Sequence, residues 1–225
     1  MKHIFIINPK AGKRDQTSRI LTMANALRKN HGLDCTCMLT QSPGHATELA
    51  RKAAETGETI RVYACGGDGT VYEVQKRFIS YAADMGWNYT LVDADWDRKI
   101  GDAKMKALAD YAKTKNVSLF AWYNSSGAWN DTEYSPKDAQ LTKAARAHQF
   151  ARLKAIGVKG LKVDFFGGDG ASVQAYYVDL LKEAAAAGFL LNFHGATLPR
   201  GWSRTYPNLM TVEAVKGFEF ATFTQ

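Results

Sequence analysis

An α/β fold of eight βα units is predicted from three observations. Apolar, β-compatible runs alternate with amphipathic stretches, recurring roughly every 25–30 residues. A Gly-Gly-Asp-Gly loop follows two of those runs, at 66–69 and again at 167–170. An acid, Asp164, ends the run Gly160-Leu161-Lys162-Val163-Asp164 shortly before the second loop. The carboxyl end of a strand, ahead of its βα loop, is where α/β barrels keep catalytic groups. Eight such units imply closure into a TIM-like (βα)8 barrel; an open doubly wound parallel sheet is the alternative.

The elements read in order as follows. Residues 3–7 form an apolar run ended by Asn8-Pro9, and Ile20, Leu21, Met23, Ala24 and Leu27 give a helix to about residue 30. Residues 34–40 alternate as a second strand. A second helix starts at Ser42-Pro43-Gly44-His45 and stops near Gly57. Residues 60–65 are a third strand, and the first glycine loop leads into a helix over 70–85. Strands at 88–93 and 117–123 flank a helix over 102–115, and a long helix is expected over 137–156. The sixth strand is 159–164, its helix 171–187, and two more strands follow at 190–193 and 209–214. No linker, low-complexity tract or charge block divides the chain, so a single domain over 1–225 is expected.

With 225 residues the chain can bury a full core. No apolar run reaches the length of a membrane span, and the start reads as a strand rather than a secretory leader. A net charge of +7 invites phosphate-bearing partners, but the basic residues are scattered over helices and read as a solvated surface. Neither nucleic acid nor membrane is an expected partner. Cys35, Cys37 and Cys65 are odd in number and lack metal-ligand spacing, so they read as reduced thiols in a cytosolic setting. Soluble, cytoplasmic recombinant expression is the expectation, with no native compartment assigned.

Residues 1 to about 74 resemble the N-terminal part of the diacylglycerol kinase catalytic domain, shared by lipid and sphingosine kinases. The likeness rests on Asn8-Pro9-Lys10-Ala11-Gly12 after the first strand and Gly66-Gly67-Asp68-Gly69-Thr70 after the third. Backbone amides approach phosphate oxygens only where no side chain intervenes, and a helix N-terminus behind them favours anions. By resemblance, Asn8, Gly66, Gly67, Asp68, Gly69 and Thr70 form a nucleotide loop. Tyr72 departs from the family, which carries Asn shortly after the loop.

From about Arg77 onward the chain resembles the catalytic barrel of glycoside hydrolase family 97. The residues that carry this are Thr90-Leu91-Val92-Asp93-Ala94-Asp95-Trp96, Leu119-Phe120-Ala121-Trp122-Tyr123-Asn124, Lys162-Val163-Asp164-Phe165-Phe166, Asn192-Phe193-His194-Gly195-Ala196-Thr197 and Met210-Thr211-Val212-Glu213-Ala214. Kinase-derived units thus occupy 1–76 and glycosidase-derived units 77–225, with a seam at 74–78 inside the third helix. In a sheet ordered 3-2-1 the kinase strands would be consecutive neighbours, as barrel strands are, so three units plus five make eight. Two such parents in one chain imply an engineered chimera; the alanine runs at 144–147 and 184–187 also look like edited surface.

The glycosidase resemblance implies a nucleophile at Asp164, a general acid/base at Glu219, and a calcium ion held partly by Glu213. Gly195 stands where inverting members carry an acid, which fits the retaining branch and an α-galactoside-like substrate. Lys162 and His194 are the expected hydroxyl contacts, with Trp96 or Trp122 as a stacking wall. Parts of the family's architecture have no counterpart in this sequence, so the expectation is a scaffold without evolved activity that requires no cofactor. A residual retaining α-glycosidase using Asp164 and Glu219 is the alternative, and weak nucleotide or phosphate binding at the first glycine loop a second. The partners left open are a small sugar, phosphate or sulfate, or a second copy of the chain, since an unclosed sheet exposes strand edges.

Overall fold

The computed structural model describes residues 2–11, 14–55, 59–126 and 130–217. They form two compact units, one of residues 1–90 with 99–117 and the other of 91–98 with 118–225. Eight strands alternate with helices, as the repeat predicts. In order these are β1 (Lys2–Ile7), α1 (Thr17–His31), β2 (Asp34–Leu39), α2 (His45–Ala54), β3 (Ile60–Cys65), α3 (Asp68–Asp84), β4 (Tyr89–Val92) and α4 (Trp96–Lys99). There follow α5 (Gly101–Thr114), β5 (Ser118–Asn124), α6 (Lys143–Ile156), β6 (Gly160–Asp164), α7 (Ala171–Ala187), β7 (Leu190–Phe193), α8 (Trp202–Thr205) and β8 (Leu209–Val212).

The first sheet is parallel and ordered β2-β1-β3, which corrects the expected 3-2-1 order. The cause lies in β1, where five consecutive residues, His3 to Ile7, are buried. Ile4 and Ile6 pack on Ala46, Ala50 and Ala53 of α2 and on Val74 of α3. Phe5 and Ile7 pack on Ala24 of α1 and on Cys35. A strand covered on both faces belongs in the middle of a sheet. With α1 and α2 on opposite faces, right-handed crossovers move β2 to one side of β1 and β3 to the other. This is the order of a doubly wound sheet.

The second sheet runs β4-β5-β6-β7-β8, consecutive neighbours as in the arc of a (βα) barrel. β5 and β6 are buried along almost their whole length, as strands covered on both faces should be. Their register sets Gly160 against Phe120, and a Cβ at Gly160 would stand 2.3 Å from the Phe120 ring. Gly160→Ala is therefore expected to destabilise the protein by about 1–3 kcal/mol through overpacking. A urea unfolding midpoint equal to that of the parent chain would refute this.

The helix expected over 137–156 begins only at Lys143. Thr142 is in extended conformation, and its Oγ1 accepts a hydrogen bond from Ala145 N at 3.1 Å, a regular N-cap. Asp138, with φ of 59°, stands outside helical geometry. The four-residue α4 and α8 are not signalled by any sequence periodicity.

Candidate functional site

Side chains alternate across a strand, so Lys162 and Asp164 share one face of β6. The register sets Trp122 opposite Lys162 and Asn124 opposite Asp164. Val163 pairs with Phe193, and Phe193 with Val212. One residue further along each strand, Asp164, His194 and Glu213 stand side by side. The carboxyl ends of three adjacent parallel strands thus deliver an acid, an imidazole and a second acid to one place.

Asp164 is 6 % exposed and has several donors around it. Trp122 Nε1 donates to Oδ2 at 3.1 Å, and Phe165 N donates to Oδ1 at 2.8 Å. His194 Nδ1 lies 3.2 Å from both carboxylate oxygens, and Lys162 Nζ lies 3.4 Å from Oδ2. Burial on its own raises the Asp164 pKa, but the His194 hydrogen bond, the Lys162 charge and the Trp122 N–H together hold it below the ordinary carboxylate value. His194 moves the opposite way: the hydrogen bond to Asp164 raises it, against the opposing effect of burial. The pair is therefore an ionised carboxylate beside a readily protonated imidazole.

This carboxylate opens into a cavity of about 860 Å³, within the range of small-molecule sites. One wall is polar, with Asp93, Lys162, His194 and Glu213; another is aromatic, with Trp122, Tyr134 and Phe165. Lys162 Nζ is 4.0 Å from Asp93 Oδ2, so the lysine lies between two acids. The arrangement presents an anionic oxygen, hydroxyl partners and an apolar surface to one ligand.

Of the residues singled out from sequence, the fold brings Asp164, Lys162, His194 and Glu213 together around this cavity. Trp96 is a correction: it is 1 % exposed, its Nε1 donates to Trp122 O at 2.8 Å, and Arg152 lies over its ring at 4.9 Å. A ring so enclosed has no face for a sugar; Trp122 reaches the cavity lining but is itself 2 % exposed, so Tyr134 and Phe165 supply the open part of the aromatic wall. Glu219 lies outside the described residues. Asp93, Tyr134 and Phe165 were not singled out as site residues. Asp93 was signalled by its place directly after a strand; Phe165 owes its position to a φ of 64°, which no sequence pattern announces.

Glu213 Oε2 accepts a hydrogen bond from Gly195 N at 3.0 Å and lies 3.1 Å from His194 Nδ1. Calcium takes 6–8 oxygen ligands. Among the described residues no group of three or more His, Cys, Asp or Glu side chains is placed to hold a metal ion. These residues do not fit a calcium site, and no step is routed through one.

In the other unit, the first glycine loop meets Asn8. Asn8 N donates to Cys65 O at 2.8 Å, and Asn8 Nδ2 donates to Thr70 Oγ1 at 3.2 Å. Gly66 is required sterically, since a Cβ there would fall 2.4 Å from Thr70 Oγ1. Gly67 precedes the first residue of α3, and a Cβ there would meet nothing within 4 Å. Gly69 follows within the first turn of α3, while the side chain of Asp68 lies outside the described ones.

Residues 52–215 match the family described as glycoside hydrolase 97, and residues 2–86 match the diacylglycerol kinase catalytic domain. The two matches overlap over 52–86, which contains the expected seam at 74–78. A probable retaining alpha-galactosidase of Streptomyces bingchenggensis is 31 % identical over 176 residues, covering 72 % of this chain and 26 % of the relative. A retaining alpha-galactosidase of Bacteroides thetaiotaomicron is 29 % identical over 152 residues, covering 64 % of this chain and 21 % of the relative. Among solved structures, a beta-arabinopyranosidase is 46 % identical with a TM-score of 0.65, over 70 % of this chain and 25 % of that one. This chain thus spans about a quarter of the length of each of these relatives. It is a two-part molecule that carries a diacylglycerol kinase-like segment at its start and, through residues 52–215, belongs to the glycoside hydrolase 97 family.

Proposed function

We propose that the chain is an engineered scaffold of two α/β fragments whose Asp164 cavity retains the covalent chemistry of a retaining α-galactosidase. The observation that carries this reading is the buried Asp164, held ionised at the head of β6 and open to a cavity with sugar-sized space. In the reaction, a carboxylate oxygen of Asp164 attacks the anomeric carbon. The new carbon–oxygen bond forms as the bond to the leaving oxygen breaks, and the electron pair departs with that oxygen. Glu219 would give the leaving oxygen its proton and later take one from the water that frees the sugar. Lys162 and His194 are assigned to hold sugar hydroxyls. Slow covalent turnover, rather than an evolved rate, is what such a scaffold should show.

An activated fluorosugar donor separates the nucleophile from its acid partner, because fluoride leaves without protonation. Incubation with an α-galactosyl donor of this kind should add one fluorosugar mass, and peptide mapping should place it on Asp164. An unmodified chain, or an adduct on another residue, would refute the reading.

A second reading concerns the kinase-like segment: nucleotide or phosphate binding at the 66–70 loop, favoured by the close packing of Asn8 on Gly66 and Thr70. Gly67→Val adds bulk where the protein itself has space, so it should block an approaching anion without disturbing the fold. Millimolar ATP should raise the melting temperature of the parent by a few degrees and leave that of Gly67→Val unchanged. An unshifted parent would remove this reading.

A further inference from the structure

We infer that Tyr134 and Phe165 form a leaving-group subsite that stacks the flat apolar face of an aglycone at the cavity mouth. The inference rests on the glycosidase reading and names what lies beyond the galactosyl ring.

Phe165 is a bulky residue at a φ of 64°, a conformation that costs energy and persists only where the surroundings impose it. Here they do. Phe165 N donates to Asp164 Oδ1 at 2.8 Å, and Phe165 O accepts from Ser125 Oγ at 2.9 Å and from Asn130 Nδ2 at 3.4 Å. The strained backbone turns the ring into the cavity instead of along the strand. Tyr134 runs parallel to it, with ring centroids 6.3 Å apart and 8° between planes. Trp122 meets both edge-on, at 5.9 Å from Phe165 and 6.4 Å from Tyr134.

The segment that carries Tyr134 is fixed from both sides. The fully buried Asn124 donates through Nδ2 to Thr132 Oγ1 at 3.1 Å and to Tyr134 O at 3.3 Å, and Ser135 N donates to Asp95 Oδ1 at 3.0 Å. Yet the Tyr134 side chain has little cover, and the residue is 52 % exposed. A half-exposed aromatic ring on a braced segment is a surface prepared for stacking.

Depth assigns the aglycone to this pair. Trp122 is hydrogen-bonded to Asp164 and so stands beside the reaction centre, while Tyr134 is the most solvent-open of the cavity's aromatic rings. The sugar being attacked must sit against Asp164, with its hydroxyls towards Lys162, His194 and Asp93. The group that leaves must face the exit, and there the wall is apolar. Either an aryl ring or the C–H face of a second pyranose has the required flatness.

The test compares the affinities of phenyl α-galactoside, methyl α-galactoside and galactosyl-α-1,6-glucose by titration calorimetry. In the parent chain the phenyl glycoside should bind about fivefold to tenfold more tightly than the methyl glycoside. Tyr134→Ala should bring that ratio close to one, and Tyr134→Phe should keep it. A disaccharide that shares the advantage identifies a pyranose face; one that does not identifies an aryl group. A parent that binds methyl α-galactoside without preferring the phenyl glycoside overturns the inference and leaves the glycosidase reading standing. A ratio that survives in Tyr134→Ala does the same. Binding of none of the three ligands overturns both.

Discussion

Asp164→Asn should lower the rate of aryl α-galactoside hydrolysis by roughly three orders of magnitude or more, the scale of loss when a covalent nucleophile is removed. The amide has the size of the carboxylate but neither its charge nor its nucleophilicity. It also meets the wrong partners. The Asp164 oxygens face Trp122 Nε1, Phe165 N and Lys162 Nζ, and an NH2 group turned towards any of these opposes donor to donor. A second readout separates electrostatics from collapse of the site. The hydrogen bond to Asp164 is the largest influence raising the His194 pKa, so that pKa should fall in the variant. Histidine proton resonances followed against pH report this directly. An unchanged rate would mean that the observed hydrolysis does not use Asp164. An unchanged His194 titration would mean that the pairing is not formed in solution.

Arg146→Ala should cost about 3–5 kcal/mol of stability, the scale for breaking a buried ion pair from one side. The guanidinium lies on α6 with its side chain 4 % exposed and grips Glu183 of α7 through two parallel bonds, Nε to Oε2 at 2.7 Å and Nη2 to Oε1 at 2.9 Å. Its Nη1 donates to Gln140 O at 3.1 Å and Leu141 O at 3.2 Å, and the guanidinium lies over the Tyr176 ring at 5.7 Å. Truncation removes the donors of two carbonyls and half of a bidentate pair, and it leaves a cavity. Arg146→Met restores volume but no donors, so it should cost less than Arg146→Ala. Glu183→Ala leaves the buried cation with Asp179, 4.0 Å away and largely exposed, and should be comparably damaging. A double-mutant cycle in urea should give a coupling of about 1–3 kcal/mol between Arg146 and Glu183. A coupling near zero would show that the bridge is a surface ornament.

What was legible in the sequence follows from periodicity. The eight strands and the helices between them were readable because alternation and helical repeats are local. α7 and β7 fall where expected, at Ala171–Ala187 and Leu190–Phe193. Strand order was not local, yet its clue was present. The unbroken apolar run of β1 beside the mixed pattern of β2 already marked β1 as the central strand. The start of α6 was misplaced because residues 137–142 have acceptable helix composition, while Thr142 makes a better cap than an interior residue. Asp164 was legible as the acid that ends a strand, whereas Lys162, His194 and Glu213 were named through the family resemblance. Trp96 was misassigned because a place in a family motif does not say which way a ring turns. Tyr134 was invisible, since it lies on a non-repetitive segment positioned by Asn124.

The overlap of the two family matches covers α3 in full, and this makes the helix a phase-sensitive splice. A helix turns by about 100° per residue. Val74 is buried and Phe78, four residues on, packs against the same cluster, so residues on both sides of the expected seam share one face of the helix. One residue inserted at the seam would rotate everything after it by more than a quarter turn and carry Phe78, Ile79 and Ala82 off their packing face. An insertion of seven residues, close to two full turns, would restore the angle while lengthening the helix by about 10 Å. Joints of this kind tolerate a change of parent only at fixed angular increments, as meshing gears do. A series of chains with one to seven residues inserted at 74–78 should therefore recover folding only near whole turns, at inserts of three to four and of seven residues.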